Sequence, residues 1–277
     1  MLLRYLEHRY AYNNDRMTDN QSQLGTQSVE IASTLLVALA ELAGPSALTA
    51  IADKAGMHRS KAHRYLVSLC RTGLTQQLPD SRYSLGPLAL RLGAAALASL
   101  NPVTVATGQL DDLSDSLEQL VALAVWGDRG PTYVTWRARR APVSLHLRLG
   151  MTMPLTTSAV GRLFAAYLPS ERTLQTITTE LQAQAQQRGV TLRQTRVEFN
   201  KLLTAVRSHG IARVSGDFLK GISGFSAPVF DHNGSIALAL TTIAPSGGFD
   251  ERYEGRIART LSAVAQSLTR QLGGKAA

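Results

Sequence analysis

Residues 58–74, HRSKAHRYLVSLCRTGL, set the tightest limit on what this chain can become. Five basic side chains (His58, Arg59, Lys61, His63, Arg64) fall within seven positions, and the segment then turns apolar at helical spacing. Ala62, Leu66, Leu69 and Cys70 share one stripe of a helix that Gly73 closes. Such a helix buries its C-terminal half and holds its cationic N-terminal end out to solvent. Two helices precede it. SVEIASTLLVALAEL, residues 28–42, repeats Val29, Ala32, Leu35, Leu36, Leu39 and Leu42 and stops at Gly44-Pro45. LTAIADKAGM groups Leu48, Ile51, Ala52 and Ala55 on one face and ends at Gly56, as a tight turn between helices requires. Three helices in this order predict a helix-turn-helix, whose last helix offers its first residues to a major groove.

The sequence after Gly73, LTQQLPDSRYSLGP, gives two short strand-like runs around Pro79-Asp80 and predicts a β-hairpin wing with Arg82 near its tip. Charge agrees with this topology. From Lys54 to Arg91 seven Lys and Arg stand against Asp80 alone, so this stretch holds six of the nine excess positive charges of the chain. A local basic patch on a helix end and a hairpin predicts duplex DNA as partner, with Arg59, Ser60, Lys61, His63, Arg64 and Arg82 as the contacts.

Other function classes find little support. At 277 residues the chain accommodates two domains with separate cores. The longest apolar stretch, residues 88–100, is short and interrupted by Arg91, so no membrane partner is expected. The first residues lack the apolar core of a signal peptide; residues 1–24 are expected to be a disordered tail, and Met17 offers an alternative start. Cys70 stands alone, which fits a reducing cytoplasm and provides neither a disulfide nor a zinc site. There is no Gly-x-Ser-x-Gly elbow, Walker run or paired His motif, so no catalytic residue, metal or cofactor is expected, and the chain is not expected to be an enzyme.

Downstream, PLALRLGAAALASL over residues 87–100 predicts a linker helix. Asn101-Pro102 is an N-cap with Pro at N1 and opens a helix expected to run to about Leu120. The second domain, residues 101–277, follows with a strand pair around Gly127–Gly130 and an alternating strand over Val143–Leu149. Helices are predicted near 158–168 and 196–208. Strands GFSAPVF and SIALALTTI join through Asp231-His232-Asn233-Gly234, and a last helix spans Asp250–Leu272. Helices segregated around a mostly antiparallel sheet make an α+β domain.

The span from QSVEIASTLLVALAEL through LTAIADKAGMHRSKAHRYLVSLCRTGL to RYSLGPLALRLG resembles the winged helix-turn-helix domain of the IclR family of bacterial transcription regulators, with Ile31 where the family usually has Arg. The resemblance implies a DNA-binding domain over 25–86 and a GAF-like effector-binding domain after the linker. It also implies a regulator, repressor or activator, that forms dimers through the first helix and linker, with effector domains pairing dimers into tetramers. The family signature L-H-A-[TS]-[AG]-x-G-[KR] stands here as residues 155–162, LTTSAVGR, with Thr156 in place of His. By the same resemblance Val214 replaces an acid, Gly224 a Cys, and Thr241 and Ile243 the serines of keto-acid binders. Free N–H groups at Ser158, Ala159 and Val160 suit a carboxylate. Met151, Val214, Gly224, Phe225, Ser226, Thr241 and Ile243 are expected to shape a roomier, less polar pocket for a small organic acid, aromatic or larger than a two-carbon keto acid. The alternative is a second domain that serves only as an oligomerisation platform.

Overall fold

A computed structural model describes residues 25–138 and 148–275, with the side chains of residues 97–99 left aside. The tail expected over 1–24 lies outside the described residues. So does most of the strand expected over Val143–Leu149, whose last residues belong to a turn at Arg148–Gly150. The chain divides into two compact units between Ser99 and Leu100.

In the first unit α1 (Gln27–Glu41), α2 (Leu48–Lys54) and α3 (Arg59–Arg71) precede a hairpin of β1 (Thr75–Gln77) and β2 (Tyr83–Leu85), and α4 (Pro87–Ser99) follows. Leu35 and Leu39 of α1, Ile51 of α2, Leu66 and Leu69 of α3 and Tyr83 of β2 form one core. The apolar stripe of each helix thus meets the other two, and the turn between α2 and α3 is made at Gly56, with φ +62°. The hairpin is tied to the segment before α2 by paired backbone bonds between Ser46 and Tyr83, 2.9 and 2.8 Å. At the end of β2 the chain passes so close to Gly73 that a Cβ on Gly86 would lie 2.4 Å from the Gly73 carbonyl oxygen.

In the second unit, α5 (Pro102–Thr107) and α6 (Leu110–Leu117) replace the single helix expected from 102 to about 120. Asn101 Oδ1 caps α5 through the Val103 and Thr104 amides, and Gly108 separates the two helices. Then come β3 (Leu120–Gly127), β4 (Gly130–Arg137), α7 (Ala159–Tyr167), α8 (Ser170–Arg188) and α9 (Leu192–His209). The last elements are β5 (Ala212–Ser215), β6 (Ile222–Phe230), β7 (Ile236–Pro245) and α10 (Arg256–Gln271). α8 and β5 have no counterpart in the sequence expectations. α9 starts four residues earlier than expected, capped by Thr191, and α10 starts later because an Asp250–Arg252 pair at 2.8 Å turns the chain first.

The five strands form one antiparallel sheet in the order β4-β3-β7-β6-β5. Successive side chains along a strand point to opposite faces, and here both faces are covered. Val121, Leu123, Phe225, Ala227, Val229, Leu238 and Leu240 meet α6 and α10 through Leu110, Leu113, Leu261 and Leu268. Ala122, Ala124, Tyr133, Ala212 and Ala239 meet α7, α8 and α9 through Leu163, Phe164, Leu181, Phe199 and Leu203. Parts of the sheet's edge backbone are also engaged. Residues 150–153 bond to the outer side of β4, with Tyr133 N donating to Met151 O at 3.2 Å and Met153 N to Pro131 O at 2.8 Å. β5 pairs with β6 only as far as Ser226; beyond it stand Pro228, which has no N–H, and Phe230, whose N–H donates to Thr269 Oγ1 at 3.1 Å.

Because a Cβ at position 86 has no room against backbone, Gly86→Ala is expected to lower stability by about 1–3 kcal/mol, the range for overpacking. Urea denaturation followed by circular dichroism reads this as a lower midpoint, and an unchanged midpoint would mean that β2 and the Gly73 turn separate freely.

Candidate nucleic-acid interface and effector site

The cationic end of α3 is built by its cap. His58 Nδ1 accepts from the Ser60 amide at 3.3 Å and lies 2.8 Å from Ser60 Oγ, so the hydroxyl of Ser60 is turned back on the helix start. Arg59, His63 and Arg64 are exposed and Lys61 is half-buried, while Ala62, Leu66 and Leu69 one face away are buried. None of Arg59, Lys61 and Arg64 meets an acid among the described residues. Other members of the basic stretch do. Lys54 pairs with Glu41 at 2.9 Å, and Arg82 at the wing is held by Asp80 through Nη2–Oδ2 at 2.6 Å and Nε–Oδ2 at 2.7 Å. That hydrogen bond keeps the Asp80 carboxyl below and the Arg82 guanidinium above their ordinary pKa values. The wing cation expected to meet phosphate is thus already paired, and the unopposed charge lies on α3.

In the second unit the sheet register sorts the expected effector residues. On the face toward α7, the row Val214–Gly224–Ile243–Leu120 crosses β5, β6, β7 and β3. The neighbouring row is Ala212–Ser226–Thr241–Ala122, and Met151 and Val160 pack against the same layer. Ser226 Oγ and Thr241 Oγ1 are 2.8 Å apart and buried, and the phenol of Tyr133, wholly buried and raised in pKa by that burial, shares a hydrogen bond with Thr241. Sequence reasoning missed Tyr133, whose half-buried neighbours Thr132 and Val134 give β4 no sharp polar alternation.

Phe225 does not join this group. Lying between Gly224 and Ser226, it points to the opposite face, where its ring packs on Phe249 at 5.6 Å between centroids. The strand period alone excludes it from the pocket. Gly224 is in place but does not simply leave a void. A Cβ there would stand 2.8 Å from the Thr242 carbonyl oxygen, because β6 and β7 run close at this point.

The turn before α7 is the other wall. Ser158 caps the helix, its Oγ donating to Pro154 O at 2.6 Å and accepting from Gly161 N at 2.9 Å. Pro154 and Leu155 lie directly against the first turn, so a Cβ on Gly161 would sit 2.0 Å from Pro154 O. The hydroxyl of Ser158 is therefore spent on structure, while the backbone amides of Ser158, Ala159 and Val160 have no hydrogen-bond partner among the described residues. The last two N–H groups open a helix, where the backbone dipole favours an anion. Around them runs a polar set that sequence reasoning did not find: Glu180 and Gln184 of α8 on Thr156, and Arg162 on Asp217. Their one local signal was the i, i+4 spacing of Glu180 and Gln184.

Known proteins match both units. The model of the bacterial transcriptional regulator IclR C-terminal family matches residues 94–270, and that of the IclR helix-turn-helix domain matches residues 28–79. The chain belongs to the IclR family. Its structure is similar to the crystal structure of Pseudomonas aeruginosa HmgR, with 33% identity, a TM-score of 0.83, and cover of 91% of this chain and 100% of that one. Among characterised relatives, the glycerol operon regulatory protein of Streptomyces coelicolor is 30% identical over 74% of this chain and 79% of its own length. The DNA-binding transcriptional repressor YiaJ of Escherichia coli is 23% identical over 94% and 93%. As an IclR-type protein the chain is a DNA-binding transcriptional regulator; its relatives are regulators rather than enzymes. Among the described residues no helix is long and apolar enough to cross a membrane.

On nonspecific duplex DNA, Arg59→Ala and Arg64→Ala are each expected to lower the slope of log affinity against log salt by about 0.9, one phosphate contact apiece. Asp80→Asn, which releases Arg82, is expected to steepen it by about the same amount. Fluorescence anisotropy across a salt series measures both. Equal slopes in all four proteins would separate α3 from the DNA surface.

Proposed function

We propose that this IclR-family regulator reads a pseudo-palindromic operator as a symmetric oligomer and responds to a small organic acid bound in its second unit. One helix-turn-helix reaches too few base pairs for genomic selectivity, so two copies reading two half-sites is the economical arrangement. Arg59, Lys61 and Arg64 are the groove or phosphate contacts, supported by their unopposed charge at an exposed helix start. His63 lies beside them on the exposed face, Ser60 holds the helix start through His58, and Arg82 enters only when Asp80 releases it.

The effector reading is carried by one observation: the free Ala159 and Val160 amides and the row Val214–Gly224–Ile243 belong to the same side of the sheet, with Ser226, Thr241 and Tyr133 behind. A carboxylate on the amides would extend its body over Met151, Val214 and Ile243, surfaces that favour an aromatic or larger apolar acid over glyoxylate or pyruvate. Such a ligand acts on DNA binding only by favouring one arrangement of the oligomer over another, since equal affinity for both shifts nothing.

The test is a thermal-shift series on the full chain with aromatic and aliphatic carboxylic acids. A selective aromatic acid at a hundredfold excess over its Kd adds about 2.7 kcal/mol and raises Tm by several degrees, with glyoxylate and pyruvate inert. A shift by the two small keto acids alone would overturn the enlarged pocket. No shift with any acid would favour a ligand-free second unit that serves assembly.

A further inference from the structure

We infer that Thr156, Glu180 and Arg162 form a polar clamp that positions both walls of the proposed effector site, the turn before α7 and the β5–β6 hairpin. Thr156 is buried, and all of its polar atoms are engaged. Its N–H donates to Glu180 Oε2 at 2.8 Å and its hydroxyl to the same oxygen at 2.6 Å. The hydroxyl also accepts from Gln184 Nε2 at 2.6 Å, and the carbonyl accepts from Arg162 Nε at 2.9 Å. Glu180 takes a third donor from the same turn, the Leu155 N–H at 3.0 Å. One carboxylate from α8 therefore holds two consecutive backbone amides and a hydroxyl. Bonds to an ionised acceptor are shorter and stronger than neutral ones, and here they are partly shielded from water.

Two residues after Thr156 the chain reaches Ser158, the cap of α7, and then the free Ala159 and Val160 amides. A shift of the turn moves those amides with it, because Ser158 Oγ, Pro154 O and Gly161 leave no slack between turn and helix. Arg162 extends the same set of contacts to the other wall. Its side chain is buried, and Nη1 donates to Arg213 O at 3.1 Å and to Asp217 Oδ2 at 3.1 Å. Arg213 directly precedes Val214, and Asp217 sits in the hairpin that joins β5 to β6. A buried guanidinium with fixed acceptors on both sides transmits displacement rather than absorbing it, since leaving any of its donors unpaired is costly. Glu180 and Arg162 are positioning residues: Glu180 acts through the 155–156 turn, and Arg162 joins the Thr156 carbonyl to Arg213 and Asp217. This chain carries Thr156 where the family signature resembled above has His, and Glu180 and Gln184, one helical turn apart, are its partners.

The site so positioned is the one proposed above. The test uses no effector, so it succeeds or fails apart from that assignment. Hydrogen exchange with mass spectrometry is followed on the full chain. Thr156→Val keeps the shape and removes the hydroxyl that Glu180 and Gln184 hold, and is expected to speed exchange of the amides in residues 155–157 by about fivefold, while Thr156→Ser stays within about twofold of the parent. Unchanged exchange in Thr156→Val, or an equal rise in both variants, would overturn the clamp. Asp217→Asn, at a partly exposed position that folding tolerates, reads it from the other end, with exchange of amides 155–157 expected to rise about threefold. Unchanged exchange there would also overturn it, even if Thr156→Val failed to fold.

Discussion

The register of β6 on β7 is the constraint on which the second unit depends. Gly224 opposite Ile243 and Ser226 opposite Thr241 send small and polar side chains to the α7 face and Phe225, Ala227 and Val229 to the α10 face. A slip of one residue would exchange the two sets, setting hydroxyls beneath α10 and a phenyl ring beneath α7. The buried hydroxyls oppose such a slip directly. Ser226 and Thr241 satisfy each other only in the observed register, and an unpaired buried hydroxyl costs about 1–3 kcal/mol. The polarity that marks the candidate site is thus also what fixes the sheet that displays it.

The first three helices were legible because each carries an apolar stripe and a glycine or proline marks its end. The second unit was less so, for reasons visible in particular residues. α8 is polar except where Thr173, Ile177, Leu181 and Ala185 face the core, and two of those four are not strongly apolar. β5 is four residues long and too brief for alternation to show. β6 is buried on both faces from Ser223 to Val229, so burial does not say which face Phe225 takes; only its alternation with Gly224 and Ser226 does, and the pocket acquired a residue that belongs elsewhere. Gly224 looked like lost volume, whereas the close approach of the β7 backbone accounts for much of the space. Contacts such as Glu180 to Thr156 and Arg162 to Asp217 join residues far apart in sequence, and no local pattern announces them.

A count of basic residues does not show which of them are already paired. Seven cations from Lys54 to Arg91 read as one patch, but pairing with Glu41 and Asp80 withdraws two of them. What remains unopposed is concentrated at the start of α3, on a helix whose position is set by Leu66 and Leu69 in the core. Electrostatic pull and geometric register therefore arise from the same thirteen-residue element.

Two stretches of sheet edge in the second unit are limited by different means. Backbone from residues 150–153 lies along the first part of β4, while β6 beyond its short partner shows a proline and an amide already given to Thr269. A stray strand from another molecule finds few ladder positions to occupy at either place. Edge pairing with a second copy is accordingly disfavoured at these two places.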